Sequence, residues 1–452
     1  MRFVIIGNGV AGITAALTLR GREPRAEITV ISGENDYFFS RTALMYAYMD
    51  RMEPRDLEPY ERSVWRKQRI GLVKDWVTDI DAGRRALTRQ AGGELPYDRL
   101  LIATGSVANR IPWKGVDQVK EGLVNFVTLQ DLQECERLTR PGAKAVVVGG
   151  GLIGVELVEC LQHHGVDVTF LVREPWYWPV ALAQEEGAIV SGHIRRHGVN
   201  LLHNEAVAEV RSDGAGRVTG VTTENGQHFE CSIFGVTAGV RPAIDWLRNV
   251  RTPPALGRGV IVGPDFATSL KNVWAAGDVA EIHREGAKPV IEQIWYSARR
   301  HGELAARAML GDAVDYRPPL FYNSSKFFEL EFTTVGEVVR PRKDNPLACC
   351  APEGAVSFFA RVPGKDACIR IAERNGAVIG FNMLGSRWNH TVFERWVAER
   401  RSLDYVMERL HEAQFDVEFG RLDLRPIRAE YERWRREAVT AGADHEKLLE
   451  EA

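Results

Sequence analysis

Two short glycine-rich turns carry the residues best suited to chemistry in this chain. The first, Gly7-Asn8-Gly9-Val10-Ala11-Gly12, follows the apolar run Phe3–Ile6 and leads into a helix-like stretch, Ile13–Leu19. The second, Gly149-Gly150-Gly151-Leu152-Ile153-Gly154, starts 142 residues later, between the strand-like Ala145–Val148 and the helix-like Val155–His163. Glycines at the first, third and sixth positions meet three needs. They allow a sharp turn, a close approach of backbone N–H groups to a pyrophosphate, and tight packing of helix on strand. The positive N-terminal end of the helix then points at the phosphates. Each turn is also followed by a second strand and an acid that can accept hydrogen bonds from a ribose diol. Ile28–Ser32 precedes Glu34, 22 residues after Gly12, and Val168–Val172 precedes Glu174. Two complete units imply two dinucleotide sites, or one duplicated domain that has lost a site. Because both turns keep all three glycines, the reading is two sites, for FAD and a nicotinamide cofactor.

The chain that positions these turns has 452 residues, 45% hydrophobic and 26% charged, with 42 glycines and a net charge of −3. That length suits two to three domains with cores of their own. The apolar content excludes general disorder, and the balanced charge argues against a nucleic-acid partner. No apolar run reaches the roughly 20 residues of a membrane span. Arg2 leads directly into a strand pattern instead of a signal peptide, so a cytoplasmic location is expected. The six cysteines (Cys135, Cys160, Cys231, Cys349, Cys350, Cys368) form no Cys-x-x-Cys pair. No histidine cluster is read as a ligand set, so no metal is expected. Cys160 reads as core and the vicinal pair Cys349-Cys350 as ordinary packing. The stretches Trp176-Tyr177-Trp178-Pro179 and Arg387-Trp388-Asn389-His390 read as packing too.

Further motifs carry a resemblance. Tyr97–Ser106 ends in Ala103-Thr104-Gly105, a second crossover reads Gly239-Val240-Arg241-Pro242, and Thr268-Ser269 precedes Val273-Trp274-Ala275-Ala276-Gly277-Asp278. With the paired turns, in this order over about residues 1–312, they resemble the two-dinucleotide flavoprotein reductases. This is the pyridine nucleotide-disulfide oxidoreductase superfamily, and the likeness is to its ferredoxin-reductase-like branch. The resemblance implies an α/β fold with two Rossmann-like domains, the FAD domain being discontinuous, plus an α+β C-terminal interface domain. It assigns Gly7, Gly9, Val10, Ala11, Gly12, Glu34, Ala103, Thr104, Gly105, Gly277 and Asp278 to FAD. Gly149, Gly151, Leu152, Ile153 and Gly154 go to NAD(P), and Gly239 lies on the second crossover. Arg41 stands where the branch has an arginine able to pair with FAD phosphate, and Trp295 where a residue covers the flavin. Glu156 matches an acid aimed toward the nicotinamide. Arg173 would suit a 2′-phosphate and Glu174 would repel one, so the two signals conflict, with a slight lean to NADH.

The family's thiol-relay branches place cysteines in a stretch that here reads Ser40–Met49 and holds none. A relay therefore has no residue to run on, and no catalytic side chain is assigned. The expected reaction is transfer of a hydride from NAD(P)H to FAD, then of electrons to a protein or small-molecule acceptor, foremost a ferredoxin- or rubredoxin-like iron–sulfur protein, with oxygen or a quinone-like molecule as the other acceptors left open. Two alternatives stand beside it: an FAD/NAD-binding subunit of a 2-oxoacid:acceptor complex that reduces NAD+, and a flavin- and NAD(P)H-binding interaction or signalling protein with little turnover. The expected domains are 1–110 with 240–314 for FAD, 111–239 for NAD(P), 315–415 for the interface and 416–452 as a charged helical tail. The interface domain suggests a homo-oligomer or a complex subunit.

Overall fold

The run Phe3–Ile6 is buried along its whole length within the strand Arg2–Ile6. An apolar run without alternation suits a strand covered on both faces, as a parallel sheet between helices requires. The computed structural model describes residues 1–415, 418 and 422–450, with side chains described to residue 437. Of the expected tail over 416–452, residues 416, 417, 419–421, 451 and 452 lie outside the described residues; Arg425–Glu450 is a helix.

The chain forms two units. The first comprises Met1–Pro112, Val124–Thr139 and Thr237–Pro318, and the second Trp113–Leu123, Arg140–Val236 and Pro319–Ala452. Residues 124–139, expected with the second nucleotide turn, thus pack in the first unit.

In the first unit five parallel strands run in the order Val273–Ala275, Arg99–Ile102, Arg2–Ile6, Glu27–Ser32, Ile70–Lys74. Ile6 lies opposite both Ile31 and Ile102, so three strands finish level where the Gly7 turn begins. The chain leaves Arg2–Ile6 toward one edge of the sheet and later returns on its other side, the switch point where α/β sheets bind ligands. The helices Val10–Arg22 and Trp295–Met309 pack closely, because a Cβ on Gly302 would lie 2.1 Å from the Ala11 carbonyl oxygen. The strands Ser106–Ala108 and Val240–Pro242, from the two crossover segments, pair with each other.

The second unit repeats the plan. Its parallel strands run Asn200–His203, Asp167–Val172, Lys144–Val148, Ile233–Val236. Further along the chain, an antiparallel sheet takes the order Tyr322–Phe327, Leu330–Gly336, Ala377–Leu384, Cys368–Arg374, Val356–Arg361. The last three of these strands were legible in the sequence and the first two were not. Helices His390–Ala398 and Leu403–Arg409 cover this sheet around Phe381, Phe393 and Trp396. The α/β class with two Rossmann-like domains and an α+β C-terminal part is the observed one. Among the described residues no helix is long and apolar enough to cross a membrane.

Candidate functional site

Gly7 leaves the first strand with φ +108°, a conformation that only glycine adopts readily. A Cβ there would lie 2.2 Å from the Ala103 carbonyl oxygen, and one on Gly12 would lie 2.0 Å from the Gly7 oxygen. The turn is therefore folded tightly on itself on the sheet side. In front of Gly9 there is open space. Gly9 caps the helix Val10–Arg22 without a side chain, and the first turn holds no acidic residue. A helix start leaves N–H groups of Val10, Ala11 and Gly12 without helical partners. Donors, positive dipole end and open space together fit a pyrophosphate.

The acid stands where the strand order predicts. Glu34 accepts from both terminal nitrogens of Arg41, at 3.0 and 2.7 Å, and from the Leu129 N–H at 3.3 Å. Arg41 also donates to the Val127 carbonyl. Ala103 is buried, and its N–H donates to the Ile6 carbonyl at 2.8 Å. Thr104 reaches the Ala243 carbonyl at 3.4 Å, and Gly105, with φ +67°, accepts from the Ala243 N–H. Gly239, at φ +83°, accepts from the Asn109 N–H at 3.1 Å. Gly277 opens a short 3-10 turn that carries Asp278. The Asp278 carboxyl accepts from Ser106 at 2.9 Å, and Gln293 donates to Ser106 at 2.8 Å. Burial pushes the Asp278 carboxyl above its ordinary range, against the Ser106 hydrogen bond and the charge of Arg41. Trp295 is half-buried at the start of its helix, with the Arg299 guanidinium 5.9 Å from its ring centre.

Sequence reasoning missed a buried cluster in the same unit. Glu292 accepts from Ser297 at 2.9 Å and from Tyr316 at 2.6 Å, and lies 3.2 Å from Nε2 of the fully buried His301. Burial raises the Glu292 carboxyl, but the His301, Tyr316 and Ser297 contacts outweigh it and hold it low. None of Glu292, Ser297, His301 and Tyr316 stands in a motif singled out in the sequence.

In the second unit Gly149 repeats the turn with φ +116°, and Gly151 faces open space like Gly9. Gly151 caps the helix Leu152–His163, whose first turn carries Leu152, Ile153 and the buried Gly154 and no acid. The hydroxyl of the buried Tyr177 donates to the Gly151 carbonyl at 3.0 Å and so ties the turn to the segment after the strand Asp167–Val172. Tyr177 packs edge-on against Phe170 and Phe327, and Trp178 against Phe327 and Phe332, which bears out the packing reading of this stretch. Arg173 pairs with Glu174 at 2.8 Å. Glu156, on the second turn of the helix, is half-buried, and burial pushes its carboxyl up to about 7, with Glu159 adding to the rise and Lys326 opposing it.

The thiols stand apart from this chemistry. Burial raises Cys135, Cys231 and Cys349, and Cys349 donates to the Leu182 carbonyl. All six cysteines are unbridged.

A duplicated glycine-turn fold with an acid after each second strand defines a two-dinucleotide oxidoreductase. The chain belongs to the pyridine nucleotide-disulphide oxidoreductase family, whose model matches residues 1–302. Its cofactors are FAD and NAD(P). It is similar to the ferredoxin–NAD(+) reductase component of the biphenyl dioxygenase system of Paraburkholderia xenovorans, 31% identical over 69% of this chain and 75% of that protein. A monodehydroascorbate reductase of Pisum sativum is 29% identical over 75% of this chain and 82% of its own length. Among solved structures, the covalent putidaredoxin reductase–putidaredoxin complex superposes with a TM-score of 0.75 at 20% identity, covering 88% of this chain and 93% of the other.

Proposed function

We propose that the protein moves electrons from NAD(P)H through FAD to a one-electron acceptor protein of the ferredoxin or rubredoxin type. The observation that carries the acceptor class is the likeness to the ferredoxin–NAD(+) reductase relative, while the cysteine-free stretch Ser40–Met49 removes a thiol relay from the reading. A protein without a thiol relay must pass electrons from the flavin outward directly. When bound, FAD accepts an electron pair from the nicotinamide and can release it one electron at a time.

In this reading the residues mainly bind and orient. The Val10–Gly12 N–H groups hold the FAD pyrophosphate, and Glu34, braced by Arg41, takes the ribose hydroxyls. Asp278 offers its carboxyl to the middle of the cofactor, positioned by Ser106 and Gln293. Ala103-Thr104-Gly105 and Gly239 shape the crossovers beside it, and Trp295 covers one end of the flavin. Leu152, Ile153 and Gly154 present N–H groups to the NAD(P) pyrophosphate. Glu174 faces the adenosine ribose and Arg173 stays on Glu174, which favours NADH. Glu156, titrating near neutrality, holds or releases a proton beside the nicotinamide. The unbridged cysteines, five of the six buried, support a reducing, cytoplasmic setting.

The test is an acceptor panel with the purified flavoprotein and NADH. Reduction of a ferredoxin or rubredoxin at a rate well above that of dioxygen or a quinone is expected. Turnover with a disulfide or a quinone and none with either iron–sulfur protein overturns the acceptor assignment.

A further inference from the structure

The helix Gln184–Arg196 and its cap residue carry His193 and His197 four residues apart, on one face, with ring centres 4.7 Å apart. Facing them is the tip of the hairpin that joins Tyr322–Phe327 to Leu330–Gly336. There Phe328, at φ +56°, stacks on His197 at 4.3 Å and so turns Glu329 toward both imidazoles. One Glu329 oxygen lies 3.4 Å from His193 Nε2 and the other 3.1 Å from His197 Nε2. The three ligand atoms all lie within 4.8 Å of one another. We propose that His193, His197 and Glu329 form a site for a first-row divalent transition-metal ion, with zinc the foremost occupant.

The geometry suits such an ion. Zinc bonds of about 2.0–2.2 Å in a tetrahedron leave ligand atoms about 3.3 Å apart, close to the two N–O separations here. The outward nitrogens are already held as metal-binding imidazoles are held. His193 Nδ1 is 3.0 Å from an Asp366 oxygen, and His197 Nδ1 is 3.0 Å from the His193 carbonyl. Each contact directs a proton to Nδ1 and leaves the Nε2 lone pair facing Glu329. Asp366 is itself anchored by Arg196, with Arg361 at 4.0 Å. His193 is only 7% exposed, and its Nε2 has no hydrogen-bond partner among the described residues.

A plain ion pair accounts less well for the arrangement. It needs protonated imidazoles, and two positive rings at this spacing repel each other. Two imidazoles and one carboxylate suit zinc, cobalt or nickel better than magnesium or calcium. The Glu329 side chain is 70% exposed, so a water or an outside ligand can complete the shell. The ion would fasten the Phe327–Leu330 hairpin to the helix Gln184–Arg196 and stabilise this unit without touching either nucleotide turn.

The test uses the flavin-loaded full chain, stripped with a chelator, re-equilibrated with zinc chloride by dialysis and measured by elemental analysis and thermal melting. A single zinc per chain, taken up at micromolar concentration with a rise in melting temperature, is expected. His197→Gln and Glu329→Gln, both at solvent-accessible positions, should each weaken uptake by about ten-fold or more. Flavin content and the rate of flavin reduction by NADH should stay unchanged in both, which separates this site from the proposed function. No uptake at sub-millimolar zinc overturns the proposal. So does uptake of equal affinity in wild type and both variants.

Discussion

Arg41 sets both terminal guanidinium nitrogens on the Glu34 carboxylate, at 3.0 and 2.7 Å, seven residues along the chain. The fork holds the acid in one orientation, as a bidentate arginine does and a lysine does not. The Leu129 N–H, 3.3 Å from one oxygen, adds a third restraint from Val124–Thr139. A carboxylate fixed in this way meets a ribose diol without first losing side-chain entropy.

Glu34→Ala should therefore weaken FAD binding more than Arg41→Ala does. Losing the ribose acceptor costs about 1.5–3 kcal/mol, or roughly ten- to hundred-fold in affinity. Arg41→Lys should fall between wild type and Arg41→Ala. Flavin-stripped protein titrated with FAD by fluorescence quenching ranks the three. Equal affinity of Glu34→Ala and wild type would remove Glu34 from the site.

The two glycines at the ends of the first turn and helix separate turn geometry from helix propensity. Gly7→Ala forces a side chain into φ +108° and against the Ala103 carbonyl, a cost of about 3 kcal/mol or more. Gly21→Ala, within the helix Val10–Arg22 that follows the turn and facing open space, should instead stabilise by about 0.5–1 kcal/mol. The ratio of flavin to protein absorbance after purification, with a denaturant melt, checks both. A Gly7→Ala protein that keeps full flavin would contradict the geometry.

Glu156 makes the protein pH-sensitive near neutrality. Its carboxyl titrates near 4.5 when unfolded and about 7 when folded, so the native state binds the extra proton between those values. The stability that this proton provides is complete below pH 4.5 and is lost as pH rises through 7, by up to about 3 kcal/mol. Glu156→Gln should thus gain most over wild type at pH 8 and little at pH 4.5. The pH profile of NADH-driven flavin reduction should also lose an inflection near 7 in that variant. Parallel profiles for the two proteins would mean that Glu156 does not titrate in this range.

Tyr177→Phe removes the hydroxyl that donates to the Gly151 carbonyl while keeping the ring in its aromatic cluster. The expected cost is about 1 kcal/mol in turn support. It should appear as a several-fold rise in the KM for NADH, with FAD content intact. A change in flavin content and not in KM would place the effect elsewhere.

What the sequence made legible was local. Gly7 and Gly149, Glu34 and Glu174, and Asp278 stand in short motifs whose spacing encodes their geometry, and the structure describes each on the element expected. The remainder depends on chain segments that meet only after folding. Tyr177 reaches Gly151 across 26 residues, Gln293 reaches Ser106 across 187, and Leu129 meets Glu34 across 95. His193 and His197 stood four apart in the sequence, but Glu329 lies 132 residues beyond His197 and gave no signal of its own. The strands Tyr322–Phe327 and Leu330–Gly336 were missed because their polar residues mix with apolar ones instead of marking a clean buried face.

The central claim is that both turns bind their nucleotides and that electrons pass from one to the other. Anaerobic titration of the purified yellow protein with NADH, and separately NADPH, followed by visible flavin absorption, tests it most directly. Stoichiometric bleaching is expected with NADH, at a faster rate than with NADPH. A protein that takes up no FAD, or whose bound flavin neither nucleotide bleaches, would contradict the account.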